Sequence, residues 1–209
     1  MKTPKKRSTA IVGAQPVGRR ERNKQEKLER IIAAARDLFD ERGVDAVTTQ
    51  QIADKADIGT GTLFLYARSK SELLLLVQNS SYVAALEKGT ADAAASADPL
   101  TAVIAIIRPI VECNRVHVEN GRTYLRELVF GDPEEPHHRD ALALTLETEH
   151  AIAAVLSRGG RLDTRDAETA AQIISAITFI SMAATLNAAM TVDEIIEQIA
   201  SRVRVLLPR

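Results

Sequence analysis

Residues 48–70 read TTQQIADKADIGTGTLFLYARSK. Thr48 is a good helix N-cap, and Gln51 stands where a capping box wants Glu or Gln. Ile52, Ala53 and Ala56 give the first helix a narrow apolar face, and Ala53 is small enough for a second helix to approach closely. Asp57-Ile58-Gly59 is the turn, because Asp and Gly tolerate the left-handed backbone that a sharp turn needs. The second helix starts near Gly59. Leu63 is its inward anchor, and Thr60, Gly61, Thr62, Phe64 and Leu65 are presented. Ser69-Lys70-Ser71-Glu72 is another capping box and opens a longer helix. Two short capped helices about a tight turn, next to basic residues, make a helix-turn-helix.

The charge distribution points the same way. Residues 1–70 hold 15 Lys+Arg and 9 Asp+Glu, a net of +6, whereas the remainder holds 12 and 19, a net of −7; together they give the overall −1. A basic N-terminal part on an acidic remainder fits a polyanion reader attached to another module. Hydrophobic residues make up 45% of the 209 and aromatics only 3%, with no Trp. Ala, Leu and Ile abound and alternating β-branched runs are few, which predicts an all-α protein. The one cysteine, Cys113, allows no intrachain disulfide and fits a reducing cytoplasm. The basic N-terminus lacks the apolar stretch of a secretory signal.

Upstream, residues 1–22 show almost no apolar periodicity and read as a disordered basic arm. Its Lys5, Lys6, Arg7, Arg19, Arg20 and Arg22 suit phosphates or a minor groove. The first helix is expected from about Asn23 to Arg42, with Gly43 as its stop. Residues 23–70 then form the DNA-binding domain, and 71–209 form a helical ligand-binding and dimerisation domain. The helix from Ser69 is expected to reach about Leu86, with Gly89–Asp98 a loose end or loop. Pro99 opens a helix to about Asn120, bent at Pro109. Arg108, Glu112, Arg115 and Glu119 form its solvated, salt-bridged face. A segment from Gly121 ends at Gly131-Asp132-Pro133, and a helix follows from about Arg139 to Leu156.

Further helices are expected from Asp163 or Thr164 to about Ala189 and from Thr191 to Pro208. The first of these has no charged residue between Thr169 and Val192. Its polar residues and lack of basic flanks favour burial over a membrane span. The wide apolar faces of these last two helices predict a homodimeric four-helix bundle. Glu134, Glu135, His137 and His138 cluster without the spacing of a known metal site, so no metal or cofactor is expected.

The stretch at 48–70, together with IIAAARDLFDERGVDAVTT before it, resembles the DNA-binding segment of the TetR/AcrR family of bacterial transcriptional regulators. The resemblance covers about Lys24 to Leu76. It implies a three-helix head, a ligand-sensing body and a homodimer on a palindromic double-stranded operator. A small-molecule effector of unknown identity would release it, most simply as a repressor. Four positions depart from the family pattern. Asp57 replaces a turn Gly, Gly59 a capping Ser, Phe64 a Tyr and Ala67 a packing aromatic. The last two weaken a phosphate contact and the anchoring of the recognition helix.

The candidate DNA contacts sort by chemistry. Thr60 and Thr62 suit base edges and thymine methyls, Gly61 permits close approach, and Phe64 and Leu65 offer apolar contact. Thr48, Thr49, Tyr66, Arg68 and Lys70 are phosphate partners. A ligand cavity is expected beside the bent helix, near Ile110, Cys113, Asn114 and His117, with Phe130 and Phe179 as aromatic walls. Two other classes compete. Cys113 and His117 at i,i+4 resemble a nucleophile and base, but nothing marks an oxyanion site, so no catalytic residue is expected. An adaptor or architectural protein would bind DNA without an effector.

Overall fold

The computed structural model describes residues 18–160 and 162–207. Its elements are all helical, with no strand among the described residues. In order they are α1 (Arg19–Arg42), α2 (Thr49–Lys55), α3 (Thr60–Leu63), α4 (Lys70–Ala94), α5 (Pro99–Asn114), α6 (Val118–Phe130), α7 (Pro136–Leu156), α8 (Thr164–Ala183) and α9 (Val192–Leu206). No helix is long and apolar enough to cross a membrane, among the described residues.

Caps set most helix starts, because they need only a side chain and a backbone N–H a few residues away. Thr48 and Gln51 make the reciprocal box on α2, and Thr191 and Glu194 make it on α9. Ser69, Asp98 and Asp163 cap α4, α5 and α8. Glu72 does not close the box on Ser69; its carboxylate takes the Arg68 N–H at 2.6 Å instead. Helix α1 begins at Arg19, earlier than expected, so Arg19, Arg20 and Arg22 lie on its first turn. The rest of the basic arm, with Lys5, Lys6 and Arg7, falls outside the described residues, as does Pro208.

Three expectations are corrected by contacts between distant residues. First, α4 does not fray at Gly89 but continues to Ala94. Gly89 is where α4 crosses α5: a Cβ there would lie 2.8 Å from the Ile106 Cα and 2.9 Å from the Ala105 carbonyl oxygen. That carbonyl is the one Pro109 cannot engage within α5. The crossing needs glycine for closeness, and the helix runs through it.

Second, α5 stops at Asn114, and a new helix starts at Val118 with His117 as its cap. Gly121 lies inside α6, not at its start. A Cβ on Gly121 would sit 2.6 Å from Asn114 Oδ1 and closer still to the Asn114 carbonyl oxygen. The elbow between α5 and α6 folds around this contact. It also turns Arg115 away from the salt-bridged face, so that Arg115 donates to the carbonyls of Asn187, Ala188 and Met190. Glu119 pairs with Arg122 at 3.1 Å, and Arg108 with Asp193 at 2.7 Å, in addition to its looser i,i+4 contact with Glu112.

Third, α8 ends at Ala183 rather than near Ala189. Asn187 is buried and its Nδ2 donates to the Ser181 carbonyl at 2.9 Å. A side chain thus occupies an acceptor that one more helical turn would have used.

The core is continuous from head to body. In the head, Ile31, Ala35, Phe39, Ile52, Ala53, Leu63 and Ala67 pack together; in the body, Val103, Ile106, Ile174, Ile195 and Ile199 are buried. Ala67 holds its core position without an aromatic ring. Helix α9 turns Ile195, Ile196, Ile199 and Val203 inward, chiefly against α5 and α8. Its exposed side carries Glu197, Ser201 and Arg204. The α7–α8 pair also presents apolar surface, where Leu142, Leu146, Ile173 and Ile180 are exposed.

Candidate nucleic-acid interface and internal cavity

The turn between α2 and α3 is built by one left-handed residue. Asp57 has φ 52°, while Gly59 has an ordinary φ of −71° and caps α3 without a side chain. Helix α3 is a single turn anchored by the buried Leu63. Its outward face carries Gly61, and Phe64 and Leu65 follow at its C-terminal end, 45% and 83% exposed. Two bulky apolar side chains facing water at the end of a one-turn helix suit a surface that another molecule covers.

The other candidate residues divide by how they are held. The Thr60 hydroxyl donates to Gln50 Oε1 at 2.7 Å, and Gln50 Nε2 donates to Asp54 at 2.7 Å. Gln50 therefore joins the α3 surface, a residue the sequence reading missed. Its spacing of four from Asp54 was the available signal. The Thr48 hydroxyl is engaged in its capping box, whereas Thr49 opens α2, half-buried. Thr62 is half-buried and Arg68 exposed. Tyr66 packs on the core, with its hydroxyl 3.4 Å from the Lys24 carbonyl.

Lys70 makes ties within the protein. Its ammonium donates to the carbonyls of Val44 and Asp45 at 2.9 and 3.1 Å. It secures the loop that follows α1, because a charged donor on two carbonyls is a strong local tie. Lys70→Ala is expected to destabilise the protein by about 1–2 kcal/mol and lower Tm by a few degrees, measured by calorimetry. Unchanged Tm with weaker DNA binding would return Lys70 to the phosphate contacts.

Two seams join this head to the body. At one, buried Asn120 of α6 accepts from the Val44 N–H and donates to the Phe39 carbonyl, both at 2.7 Å. Gly43 leaves α1 there with φ 78°, and a Cβ on it would meet the His117 ring at 3.0 Å. At the other, His137 Nε2 lies 2.8 Å from the Tyr66 carbonyl. A carbonyl only accepts, so Nε2 carries the proton. Tyr66 closes the turn after α3 through its N–H to Leu63. From His137 the line of bonds runs into the body. Its own carbonyl accepts from Asn79 Nδ2 at 2.8 Å, and Asn79 Oδ1 accepts from the Tyr124 hydroxyl at 2.9 Å. Tyr124 stacks on Tyr82 with ring centroids 4.9 Å apart, and Tyr82 accepts from Asn114 at 2.9 Å.

Tyr82 and Tyr124 form one wall of a cavity of about 70 Å³ between α4, α5, α6, α7 and α8. Ile107, Ile110, Leu125, Ile152, Phe179 and Met182 also line it, with Thr145, Thr148, Ser175 and Thr178 as hydroxyls. The paired hydroxyls at i,i+3 on α7 and α8 were the sequence signal for these walls. Of the six residues expected to form a pocket, Ile110 and Phe179 face this cavity. The other four do not. Asn114 is consumed at the α5–α6 elbow, where it also donates to the Gly121 carbonyl. His117 caps α6 and packs against Gly43, and Phe130 is 82% exposed on the far side of α6. Cys113 packs against the core. Burial pushes its thiol up to about 11, so it is a neutral thiol rather than an activated nucleophile. The elbow also places His117 on a different helix, which removes the i,i+4 pairing.

The polar cluster at 134–138 has structural roles. Glu135 caps α7 through the N–H groups of His137 and His138, and His138 Nε2 lies 3.2 Å from the Leu128 carbonyl. No group of three metal-ligating side chains occurs among the described residues.

A helix-turn-helix head with an exposed recognition helix, joined to a helical body that holds a cavity, is the architecture of a DNA-binding regulator. Residues 31–77 match the family model of bacterial regulatory proteins, tetR family. Over 186 residues the chain is 24% identical to the HTH-type transcriptional repressor KstR of Mycobacterium tuberculosis, covering 88% of this chain and 81% of that protein. The fold is shared with a TetR transcriptional regulator from Rhodococcus sp. RHA1, with TM-score 0.68, 16% identity and coverage of 88% and 97% of the two chains. It is also shared with the regulator FadR from Bacillus subtilis, solved in complex with stearoyl-CoA, with TM-score 0.62, 17% identity and coverage of 86% and 97%. The chain is thus similar to TetR-family transcriptional regulators, in sequence over its head and in fold over most of its length.

Proposed function

We propose that the protein is a cytoplasmic homodimeric repressor that binds a palindromic operator through paired α2–α3 units and is released by a small-molecule effector. The bonded line from the cavity wall at Tyr124 through Asn79 and His137 to the Tyr66 carbonyl carries this reading. A ligand that displaces Tyr124 has a direct mechanical route to the turn holding α3. Release requires only that the ligand bind more tightly to the spacing of the two heads that does not fit DNA. At the DNA, Gln50, Thr60, Gly61, Thr62, Phe64 and Leu65 face the bases, and Thr49 and Arg68 face the phosphates. Thr48, Tyr66 and Lys70 hold the head in shape. The uncharged cavity wall calls for an apolar effector. The similarity to a regulator solved with stearoyl-CoA supports a hydrocarbon class.

The dimer face is α7–α8 rather than the last two helices. Leu142, Leu146, Ile173 and Ile180 form its apolar surface, while the outer side of α9 carries Glu197, Ser201 and Arg204 beside the exposed Val205. Two copies of this antiparallel pair make a four-helix bundle. Leu146→Asp is expected to convert the dimer to monomer in sedimentation and to weaken operator binding at least about 100-fold, because one head alone makes half the contacts. A dimer that survives Leu146→Asp but dissociates on Ser201→Arg would place the interface on α9.

Genome-wide mapping of bound DNA, followed by footprinting on the recovered sites, tests the function as a whole. Palindromic sites whose occupancy falls when hydrophobic cell extracts are added support it. Palindromic binding that no extract disturbs would instead favour a DNA adaptor or architectural protein. Non-palindromic binding would sink the dimeric reading.

A further inference from the structure

The cavity is too small for the effector that the body has to sense. At about 70 Å³ it has room for a few water molecules, whereas sites for drug-sized ligands run to about 300–1,000 Å³. Its lining contains no charged side chain. The hydroxyls of Thr145, Thr148 and Thr178 donate to their own helices, at the carbonyls of Ala141, Leu144 and Ile174. An ionic group has nothing to meet inside, and burying one unpaired costs far more than a hydrocarbon gains.

On the other side of two residues lies a second space. A groove of about 520 Å³ runs between α6 and α8, and Leu125 and Phe179 line both it and the cavity. Leu125 is buried, while Phe179 is half-buried and turned toward both spaces. The groove differs from the cavity in kind. Val129 and Phe130 give it an exposed apolar floor, Ile180 at the edge of the proposed dimer face borders it, and Arg122, Arg126 and Glu119 give it a charged rim. Arg122 is committed to Glu119, the Ala183 carbonyl and the Thr185 hydroxyl. Arg126 has only a surface contact with Glu127 at 3.4 Å, and such exposed pairs contribute little. The groove therefore holds a guanidinium that an incoming anion can recruit.

We propose that Phe179 and Leu125 form a gate between cavity and groove, and that the site takes a single-chain anionic amphiphile. The end of the hydrocarbon tail passes the gate into the cavity, the rest of the chain lies along the apolar floor of the groove, and the anionic head meets Arg126. This rests on the reading of the body as an effector sensor. Charge complementarity decides the orientation, since the cavity accepts only the tail and Arg126 only the head. Passing the gate also puts the tail against the Tyr82–Tyr124 stack, the start of the line to the head domain. A free carboxylate and an acyl-CoA thioester share this chemistry and differ in the size and charge of the head.

The test uses the full-length protein, with calorimetric titration and operator anisotropy read in parallel. The probes are dodecanoate, dodecanoyl-CoA, dodecanol and hexanoate below their micelle concentrations. At least one of the two C12 anions is expected to bind at least tenfold more tightly than dodecanol and to release the operator, and hexanoate should bind weakly. The tighter of the two identifies the source of the head. Arg126→Gln, at an exposed site, should remove the tenfold preference and leave dodecanol binding unchanged. Phe179→Trp should weaken all C12 probes, and Phe179→Leu should speed their association. Equal binding of dodecanol and the anions by the native protein, or an anion preference that survives Arg126→Gln, overturns the proposal. So does operator binding that none of the C12 probes affects, which leaves the DNA-binding reading intact. Failure to bind any operator instead removes the reading on which the proposal rests.

Discussion

Gly121→Ala is expected to lower Tm by about 10 °C or to leave the protein unable to accumulate folded. The substitution would ordinarily help, since Ala exceeds Gly in a helix interior by about 1 kcal/mol. Here the new methyl meets the side-chain oxygen of Asn114 at 2.6 Å and its backbone carbonyl more closely. Backbone cannot rotate away, so α5 and α6 must separate. Overpacking of this kind costs about 1–3 kcal/mol and occasionally more; a backbone clash belongs at the upper end. Each 1 kcal/mol corresponds to about 2–4 °C for a chain of this size. Separation also loosens Asn114 from Tyr82 and Asn120 from the end of α1, so the head seam weakens with the elbow. Calorimetry on Gly121→Ala and on Gly61→Ala settles the point. A Cβ on Gly61 meets nothing within 4 Å, so that control should gain the helix propensity and lose nothing. A Gly121→Ala protein as stable as the native one would mean that the elbow is looser than its geometry.

Gly61→Glu is expected to abolish operator binding, by at least about 100-fold, while leaving Tm within about 2 °C. Gly61 has no positive φ and open space around its Cβ position, so the fold tolerates the longer side chain. The cost falls on the complex. Glutamate on the exposed face of α3 would enter the groove where the proposed base contacts lie and meet the phosphate field with the wrong sign. Like-charge juxtaposition at an interface costs several kcal/mol, and about 2.8 kcal/mol is a hundredfold in Kd. Anisotropy with the mapped operator, at two salt concentrations, reads the loss. Raising salt should narrow the gap, because part of the penalty is screened. Operator affinity within threefold of the native protein would move the DNA interface away from α3.

Residues 48–72 show why some features are readable without coordinates. A cap is a bond between residues three apart, so Thr48 with Gln51 and Ser69 with Glu72 announce their helices wherever the chain goes. The buried positions Ile52, Ala53 and Leu63 follow from helical spacing for the same reason. Gly89 and Gly121 show the limit. A glycine within a helical pattern signals either a break or a close approach. The choice depends on what stands opposite, which for Gly89 is the carbonyl that Pro109 releases on another helix. The end of α8 likewise depends on Asn187 folding back onto Ser181.

The exposed surface of α3 and the cavity differ in legibility for a related reason. Thr60, Gly61, Phe64 and Leu65 lie on one short motif whose outward face is defined by its own anchor, Leu63. The ties of Lys70 are not legible in that way, because its partners, the Val44 and Asp45 carbonyls, are about 25 residues away in the chain. Cavity walls come from five helices at once, and one turn at Arg115–His117 redirects Asn114 and His117 to other tasks.

Local chemistry alone determined the all-α class, the helix-turn-helix, its turn at Asp57 and the division into a basic head and an acidic body. Caps, helical periodicity and charge each act over a few residues or by simple summation. Tertiary structure decided where α5 and α8 end, that α7 and α8 leave an apolar face exposed, and that Tyr82 and Tyr124 wall the cavity. It also decided that His137 reaches the Tyr66 carbonyl. Each of these depends on which backbone groups two distant segments leave open to one another, a quantity that exists only once the helices are packed.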